Sequence, residues 1–179
     1  MHLDLFERHL AIGSREEAVR MTRMDRRFWN VISICSPTTV PADLREAKRV
    51  HPLRFEDTED SRDPEAVCVP RVESIAAAIQ FAEETAPGGL LVHCQMGWSR
   101  SPAIALVLLV KKLWPAPDAL DRACAALLAV RPRSRPNILI VRLGFELFMP
   151  QEQARTWSTR VFEHPPFVIN RTETSRHAE

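Results

Sequence analysis

A cysteine and an arginine stand six positions apart in the run His93-Cys94-Gln95-Met96-Gly97-Trp98-Ser99-Arg100-Ser101. An apolar run over 90–92 precedes it, and a long apolar segment follows from Pro102. This order predicts a buried strand, a tight loop and the first turn of a helix. Such a loop directs backbone N–H groups and the positive end of the helix dipole at one point, where a tetrahedral oxyanion binds. The chemistry that these residue types predict is cleavage of a phosphate ester.

Each residue type in the run has a chemical reason. The helix-end amides and Arg100 favour the thiolate of Cys94, which is the nucleophilic form of a cysteine. The planar fork of Arg100 can hold two phosphate oxygens, whereas a lysine would offer a point charge. Gly97 lies where the backbone must curl, and Ser101 is expected either to cap the helix or to donate to the sulfur. The alternative interpretation is a buried structural cysteine beside a surface arginine.

The run HCQMGWSRS resembles the active-site loop HCxxGxxRS of the cysteine-dependent protein tyrosine phosphatases, and within them the compact dual-specificity branch. The resemblance covers residues 28–149. It implies a phosphatase fold and a phosphocysteine intermediate on Cys94, with His93 and Ser101 in supporting positions. It also implies that the substrate phosphate binds to the loop residues Gln95, Met96, Gly97, Trp98, Ser99 and Arg100.

The same resemblance implies an aspartate, upstream of the cysteine, that protonates the leaving group. Proton donation of this kind typically contributes about 10²–10⁴-fold to a rate. An acidic stretch occupies residues 56–66. Asp57 follows the apolar strand end at Phe55 most directly and is the predicted general acid, with Asp60 and Asp63 as alternatives. A solvated acidic loop without chemistry is the other interpretation.

Two further features leave alternatives open. Cys35 ends a predicted core strand, where some members of the resembled family carry a cysteine that forms a disulfide with the nucleophile under oxidation. A plain buried side chain is the favoured interpretation of Cys35. The basic run over 131–135 is interpreted as a solvated turn, and steering of anions towards the pocket is its alternative.

Strands and helices alternate along the chain and must position these residues. Strands are predicted over 5–13, 28–35, 49–55 and 90–93, and helices over 15–26, 41–47, 71–86, 101–114, 118–131 and 137–149. In the last helix, residues 138–141 favour a strand by propensity, and the resemblance rather than periodicity favours a helix. Ser14 and Glu17 have the spacing of a capping box.

This alternation predicts an α/β fold with a central, largely parallel twisted sheet flanked by helices. In such a fold the ligand site lies at the carboxyl ends of the strands. The predicted phosphatase domain spans residues 1–149. The polar composition of residues 150–179, with adjacent prolines at 165 and 166, predicts a loosely ordered C-terminal tail.

Composition excludes several function classes. The 179 residues, 45% hydrophobic and 26% charged, are typical of one soluble globular domain with its own core. A net charge of +1 gives no electrostatic reason to expect nucleic acid or a membrane as partner. No apolar run reaches the roughly 18 residues of a membrane span, and the N-terminus lacks the apolar core of a signal peptide. Four cysteines without a CxxC pair or a His/Cys cluster predict no metal, no cofactor, reduced thiols and a cytoplasmic location.

The predicted function is a phosphomonoester hydrolase, most directly a protein tyrosine or dual-specificity phosphatase acting on phosphorylated proteins or peptides. A phosphoinositide or an RNA 5′ phosphate is the alternative substrate. The lack of a lysine between Cys94 and Arg100 argues against the first, and the lack of a basic stripe argues against the second. A phosphate-binding module without turnover and a redox sensor built on Cys35 and Cys94 are rivals from other classes. The sequence leaves the oligomeric state open.

Overall fold

A computed structural model describes residues 2–3 and 8–176, with side chains described over 8–173. Five strands form one sheet: β1 (His2–Leu3), β2 (Arg8–Gly13), β3 (Trp29–Cys35), β4 (Arg49–Arg54) and β5 (Gly89–His93). Their order across the sheet is β1-β2-β5-β3-β4. The β1 strand runs antiparallel to β2, and every other neighbouring pair is parallel. The predicted α/β fold with a largely parallel sheet is confirmed.

The two central strands carry the site. Every residue of β3 and of β5 is buried, which is why both read as nearly continuous apolar runs in the sequence. In their parallel register Ile32 pairs with Val92, and Ser33 pairs with His93. Because the strands run in the same direction, the segments that follow β2, β3, β4 and β5 emerge at one edge of the sheet. The cysteine run is one of these segments.

Within residues 8–176, seven helices flank the sheet: α1 (Arg15–Met24), α2 (Val72–Glu84), α3 (Arg100–Leu113), α4 (Ala119–Val130), α5 (Ile138–Phe145), α6 (Gln151–Glu163) and α7 (Pro165–Arg176). Helix α3 is buried along residues 100–110, which explains its apolar character on all sides. Ser14 and Glu17 form the predicted capping box at the start of α1. Among the described residues, no helix combines the length and apolar character needed to span a membrane.

The predicted helix over residues 41–47 is wrong. The segment forms turns, and its backbone bonds to other parts of the chain: Arg27 N–H donates to the Glu46 carbonyl, and Lys48 N–H donates to that of Trp29. Its apolar side chains, Leu44 among them, are buried against the sheet without helical geometry. Fewer than two helical turns carry too little intrinsic stability to resist such tertiary contacts. Residues 5–7 of the first predicted strand lie outside the described residues.

The prediction of a loosely ordered tail is also wrong for residues 151–176, which form α6 and α7. Helix α6 buries Ala154, Trp157 and Val161, whose spacing places them on one face of the helix. Phe167 of α7 is fully buried in the main core. The sequence interpretation relied on average polarity, and it overlooked that a few apolar residues at helical spacing are enough to dock a helix.

Candidate active site

The cysteine loop, residues 94–99, connects β5 to α3. Cys94 is buried, with an exposed fraction of 2%. Its Sγ accepts hydrogen bonds from the Gly97 N–H and from the Ser101 hydroxyl, both at 3.2 Å. Of the two roles expected for Ser101, the structure shows donation to the sulfur. Donors of this kind stabilise negative charge on sulfur at the N-terminus of a helix.

The backbone carbonyls of the cysteine loop are held on its outer side. The Gln95 carbonyl accepts from the Arg15 N–H at 3.2 Å, and the Trp98 carbonyl accepts from the Arg135 N–H at 2.7 Å. The Met96 and Gly97 carbonyls both accept from the Arg131 guanidinium, at 3.2 and 3.1 Å. In a planar trans peptide the C=O and N–H point in opposite directions, so outward carbonyls turn the loop's N–H groups inward. The loop therefore has the form of an anion cradle with the sulfur inside it.

Gly97 is the position at which the cradle depends on glycine. Its φ is +74°, in the left-handed region that favours glycine. A Cβ at this position would lie 2.5 Å from the Gly13 carbonyl carbon and 2.7 Å from the Ser14 nitrogen. The loop therefore lies directly on the end of β2, and both space and backbone geometry exclude a side chain.

Arg100 is the first residue of α3, and within the described residues its guanidinium is hydrogen-bonded through Nη1 but not through Nε. Its Nη1 donates to the Phe55 carbonyl at 2.9 Å and to the Ser36 hydroxyl at 3.3 Å. Both partners directly follow strands of the sheet. The buried Nε has no hydrogen-bond partner in the described part of the chain, and it lies 3.8 Å from Asp57 Oδ2. A buried guanidinium N–H without an acceptor is costly, and an oxygen of a bound anion would satisfy it.

Asp57 lies beside this arginine. Its Oδ1 accepts from the Ser99 hydroxyl at 2.7 Å and from the Asn137 amide at 2.9 Å. Ser99 is part of the cysteine loop, and Asn137 also caps α5 by accepting from the Ile140 N–H. Oδ1 is thus occupied, while Oδ2 faces Arg100. The structure brings this carboxylate, the guanidinium and the cysteine loop together.

The other two candidate acids do not join the group. Asp60 accepts from the Arg62 N–H at 2.9 Å, and Asp63 accepts from the Glu65 N–H at 3.0 Å. These bonds close small turns within the acidic stretch. Hydrogen bonds from Thr58 and from the backbone lower the pKa of Asp63.

His93 is buried directly before Cys94. Its Nδ1 lies 3.3 Å from the Cys94 carbonyl, so Nδ1 carries the proton and donates to it. Burial lowers the pKa of His93 to about 4. The hydrogen bond to the Cys94 carbonyl raises this pKa, and the charge of Arg15 lowers it. The imidazole is therefore neutral near pH 7, and it contacts the cysteine loop at the backbone carbonyl of Cys94. Cys35 is buried and forms no disulfide, as the favoured interpretation of a plain buried side chain expects, and a disulfide with Cys94 under oxidation stays the untested alternative.

An open cavity of about 420 Å³ lies beside the cysteine loop. Gln95 and Met96 contribute exposed side chains to it, and the start of α1 forms the facing wall. Trp98 is half-buried and does not line this cavity. The cavity is lined by Ser14, Arg15, Glu16, Val19, Gln95 and Met96.

Sequence reasoning missed the role of one side chain that shapes the loop, that of Arg131. Arg131 was interpreted as part of a solvated turn, but its side chain is 20% exposed and contacts the loop. Its Nη1 also donates to Glu17 at 2.9 Å. Burial raises the pKa of Glu17, yet hydrogen bonds from Arg131 and Ser14 outweigh burial and lower it. The sequence feature that could have indicated this role is the position of Arg131, between an apolar helix and a proline.

Solved structures with this fold are known, although no protein-family model and no curated protein sequence matches the chain. A human tyrosine phosphatase-like serine/threonine/tyrosine-interacting protein is 17% identical, with a TM-score of 0.58 over 77% of this chain and 89% of that one. The Yvh1 phosphatase domain from Chaetomium thermophilum is 19% identical, with a TM-score of 0.56 over 79% and 93%. PTPMT1, solved in complex with PI(5)P, is 17% identical, with a TM-score of 0.53 over 85% and 94%. The chain therefore has the fold of the dual-specificity and tyrosine phosphatases.

Proposed function

We propose that this protein is a cysteine-dependent phosphatase that hydrolyses phosphate monoesters through a phosphocysteine intermediate. The observation that carries the proposal is the cysteine loop itself. Cys94 accepts two hydrogen bonds at the floor of a cradle in which four carbonyls are held outward, and at its edge lies the Nε of Arg100, which has no hydrogen-bond partner among the described residues. A structural cysteine would need neither the cradle nor the buried arginine.

In the first step the Cys94 thiolate attacks phosphorus in line with the ester oxygen. A P–S bond forms and the P–O bond to the leaving group breaks. Arg100 and the inward N–H groups of residues 95–100 hold the three equatorial oxygens, whose charge must be stabilised in the transition state. Asp57 gives its proton to the leaving oxygen. We assign this transfer to Oδ2, because Oδ1 is already occupied by Ser99 and Asn137.

In the second step the Asp57 carboxylate takes a proton from a water molecule that attacks the phosphocysteine. The P–S bond breaks, inorganic phosphate leaves and the thiolate is restored. Ser101 donates to the departing sulfur through the hydrogen bond that the structure shows. The same carboxyl group thus acts first as an acid and then as a base, and the enzyme returns to its starting protonation.

The substrate that we propose is a phosphorylated protein or peptide. The cavity beside the cysteine loop has one cation, Arg15, one carboxylate, Glu16, and apolar surface from Val19 and Met96. This mixture suits the side chains that flank a phosphorylated residue better than it suits a polyanionic headgroup. PTPMT1, a structurally similar protein solved in complex with PI(5)P, makes a phosphoinositide the second candidate substrate.

The mechanism is tested by turnover of a generic aryl phosphate. Cys94→Ser replaces a thiolate by a poorly ionised hydroxyl, and we expect turnover to fall below detection while phosphate or vanadate still binds. Trapping a phosphorylated enzyme by rapid acid quench, in wild type but not in Cys94→Ser, identifies the intermediate. Full activity of Cys94→Ser would exclude this mechanism.

The same assay separates the rival functions. Wild-type protein that binds phosphopeptides without releasing phosphate would be a binding module, a possibility raised by the phosphatase-like interacting protein among the structural neighbours. A panel of phosphotyrosine, phosphoserine and phosphothreonine peptides alongside phosphoinositides ranks the substrate classes by kcat/KM. We expect phosphopeptides to rank first, and a preference for phosphoinositides would overturn that part of the proposal.

A further inference from the structure

The segment over residues 131–137 has two faces, and one of them contacts the candidate active site. The Arg131 guanidinium donates hydrogen bonds to two carbonyls of the cysteine loop, and the Arg135 N–H donates to a third. The Asn137 amide donates to the Asp57 carboxylate. These three donors come from odd-numbered positions. The segment between α4 and α5 is irregular, so the bonds of its own backbone do not fix it as those of a helix or strand would.

The other face of the segment contacts α7. The Pro132 and Ser134 carbonyls accept from the Asn170 amide at 2.9 and 2.7 Å. The Pro136 carbonyl accepts from the Arg171 guanidinium at 3.0 Å. All three acceptors come from even-numbered positions, so the two faces alternate along the chain. A proline has no N–H and a fixed φ, so the two prolines stiffen the segment and bond through their carbonyls alone.

Helix α7 is itself firmly docked. Phe167 is fully buried, and its ring lies 4.7 Å from that of His164. The Arg171 guanidinium lies 4.7 Å above the Phe162 ring and donates to the Phe162 carbonyl at 2.8 Å. Burial lowers the pKa of Arg171, and the charge of Glu59 in the acidic stretch opposes this shift. The helix therefore joins the hydrophobic core to the back of the segment.

We propose that α7 is a positioning element of the candidate active site: through Asn170 and Arg171 it holds segment 131–137, which in turn holds the cysteine loop and Asp57. This inference rests on the proposed function and extends it to a part of the chain that touches neither nucleophile nor acid. Asn170 contributes most to this positioning, because its amide donates to two carbonyls of the segment, one on each side of Arg133. Loss of these bonds would let the segment move and would loosen the cradle.

The test compares Asn170→Ala with Thr172→Ala in the full chain. Thr172 lies on the same helix, and within the described part of the chain its hydroxyl donates to the Ile169 carbonyl of that helix at 2.8 Å. Asn170→Asp is a second variant of the same size that lacks the two N–H donors, for use if the alanine variant unfolds. Three readouts are measured: kcat/KM for an aryl phosphate, the pH dependence of Cys94 alkylation by iodoacetamide, and amide hydrogen exchange over residues 131–137.

We expect Asn170→Ala to lower kcat/KM about fivefold, the size expected for the loss of ordinary hydrogen bonds. Cys94 alkylation should shift to higher pH, and exchange over 131–137 should become faster. Thr172→Ala should match wild type in all three. A general loss of stability would change the melting temperature without moving the alkylation profile, so the profile identifies positioning.

Wild-type kcat/KM and a wild-type alkylation profile in Asn170→Ala would overturn the inference, as would equal effects from Thr172→Ala. Failure of the proposed function gives a different result. If wild-type protein hydrolyses no phosphate monoester, the phosphatase proposal fails, while alkylation and hydrogen exchange still show whether α7 positions the cysteine loop.

Discussion

Two loops at the same edge of the sheet meet in the candidate active site, and they are built differently. The cysteine loop buries Cys94, Gly97 and Ser99, lies against the end of β2 and has carbonyls bonded to α1 and to segment 131–137. The acidic stretch over 56–66 is mostly exposed and is closed by small turns of its own. Asp57 is tied to the rest of the site through Ser99 and Asn137.

This difference matches what the two loops would have to do. A cradle for a phosphoryl group works best when its dipoles are fixed before the substrate arrives, because no energy is then needed to reorient them. A proton donor has to reach leaving groups of different size. A segment with few buried apolar contacts has low local stability and can adjust. Substitutions in the first loop should therefore show that it is rigid by construction, and substitutions in the second that it depends on a few bonds.

The largest effect is expected from Gly97→Ala. The new Cβ would overlap the Gly13 carbonyl carbon at 2.5 Å, and φ at this position is +74°. The loop must therefore move, which displaces both the sulfur and its N–H donors. Each of these losses is typically worth about 10²–10³-fold, so we expect kcat/KM to fall at least about 10³-fold. Wild-type activity in this variant, measured with an aryl phosphate, would contradict a cradle built on close packing.

Much of the cysteine loop could be predicted because its signals are local. The apolar strand, Gly97 and the serine after Arg100 lie within one short run, and the capping box joins two residues three apart. Strands β3 and β5 were readable for the same reason, since burial on both faces leaves an uninterrupted apolar run. Local pattern thus predicts the sheet and the position of Cys94 at the end of a buried strand.

The supporting contacts could not be predicted because they are remote in sequence. Arg131 and Glu17 are 114 positions apart, and Asn137 and Asp57 are 80 apart. Whether such residues meet depends on how α4 and α5 return to the edge of the sheet, which no local pattern records. The same limit explains the helix wrongly predicted over 41–47, where tertiary contacts override local propensity.

On the acidic stretch, Asp57→Asn should have the next largest effect, with Asp60→Asn as its matched control. Asparagine keeps the shape and the Oδ1 acceptor but cannot transfer a proton. We expect kcat/KM for an aryl phosphate to fall about 10²-fold and the alkaline limb of its pH profile to flatten, because activity on that limb is lost when the proton donor ionises. Asp60 lies outside the site, and its variant should keep wild-type activity. Equal losses in both variants would show that the stretch acts through its charge alone.

The buried His93 makes the rigid loop sensitive to acid. Its pKa is about 4 in the folded protein, because burial disfavours the charged form, against about 6.5 in an unfolded chain. The unfolded state therefore binds a proton first, and stability that is fully present above pH 6.5 declines as the pH falls towards 4. We expect a loss of about 2 kcal/mol between pH 7 and pH 5 from this group. Urea unfolding of wild type and His93→Gln at both pH values measures it, since the other histidines cancel in the difference.

A smaller effect on the rigid loop is expected from Arg131→Met, with Arg133→Met as control. Arg133 is exposed in the same segment, and the hydrogen bonds from this segment to the cysteine-loop carbonyls come from Arg131 and Arg135. Losing two charge-assisted bonds to loop carbonyls should lower kcat/KM about 20-fold.

Arg131→Lys keeps the charge but lacks the planar fork, so it should recover only part of this loss. Glu17→Gln tests whether the bond from Arg131 to α1 matters. In a double-mutant cycle the Arg131 and Glu17 substitutions should cost less together than the sum of their separate effects, because either one already breaks the shared bond. Additive losses would mean that Arg131 positions the cysteine loop without help from its bond to Glu17 of α1.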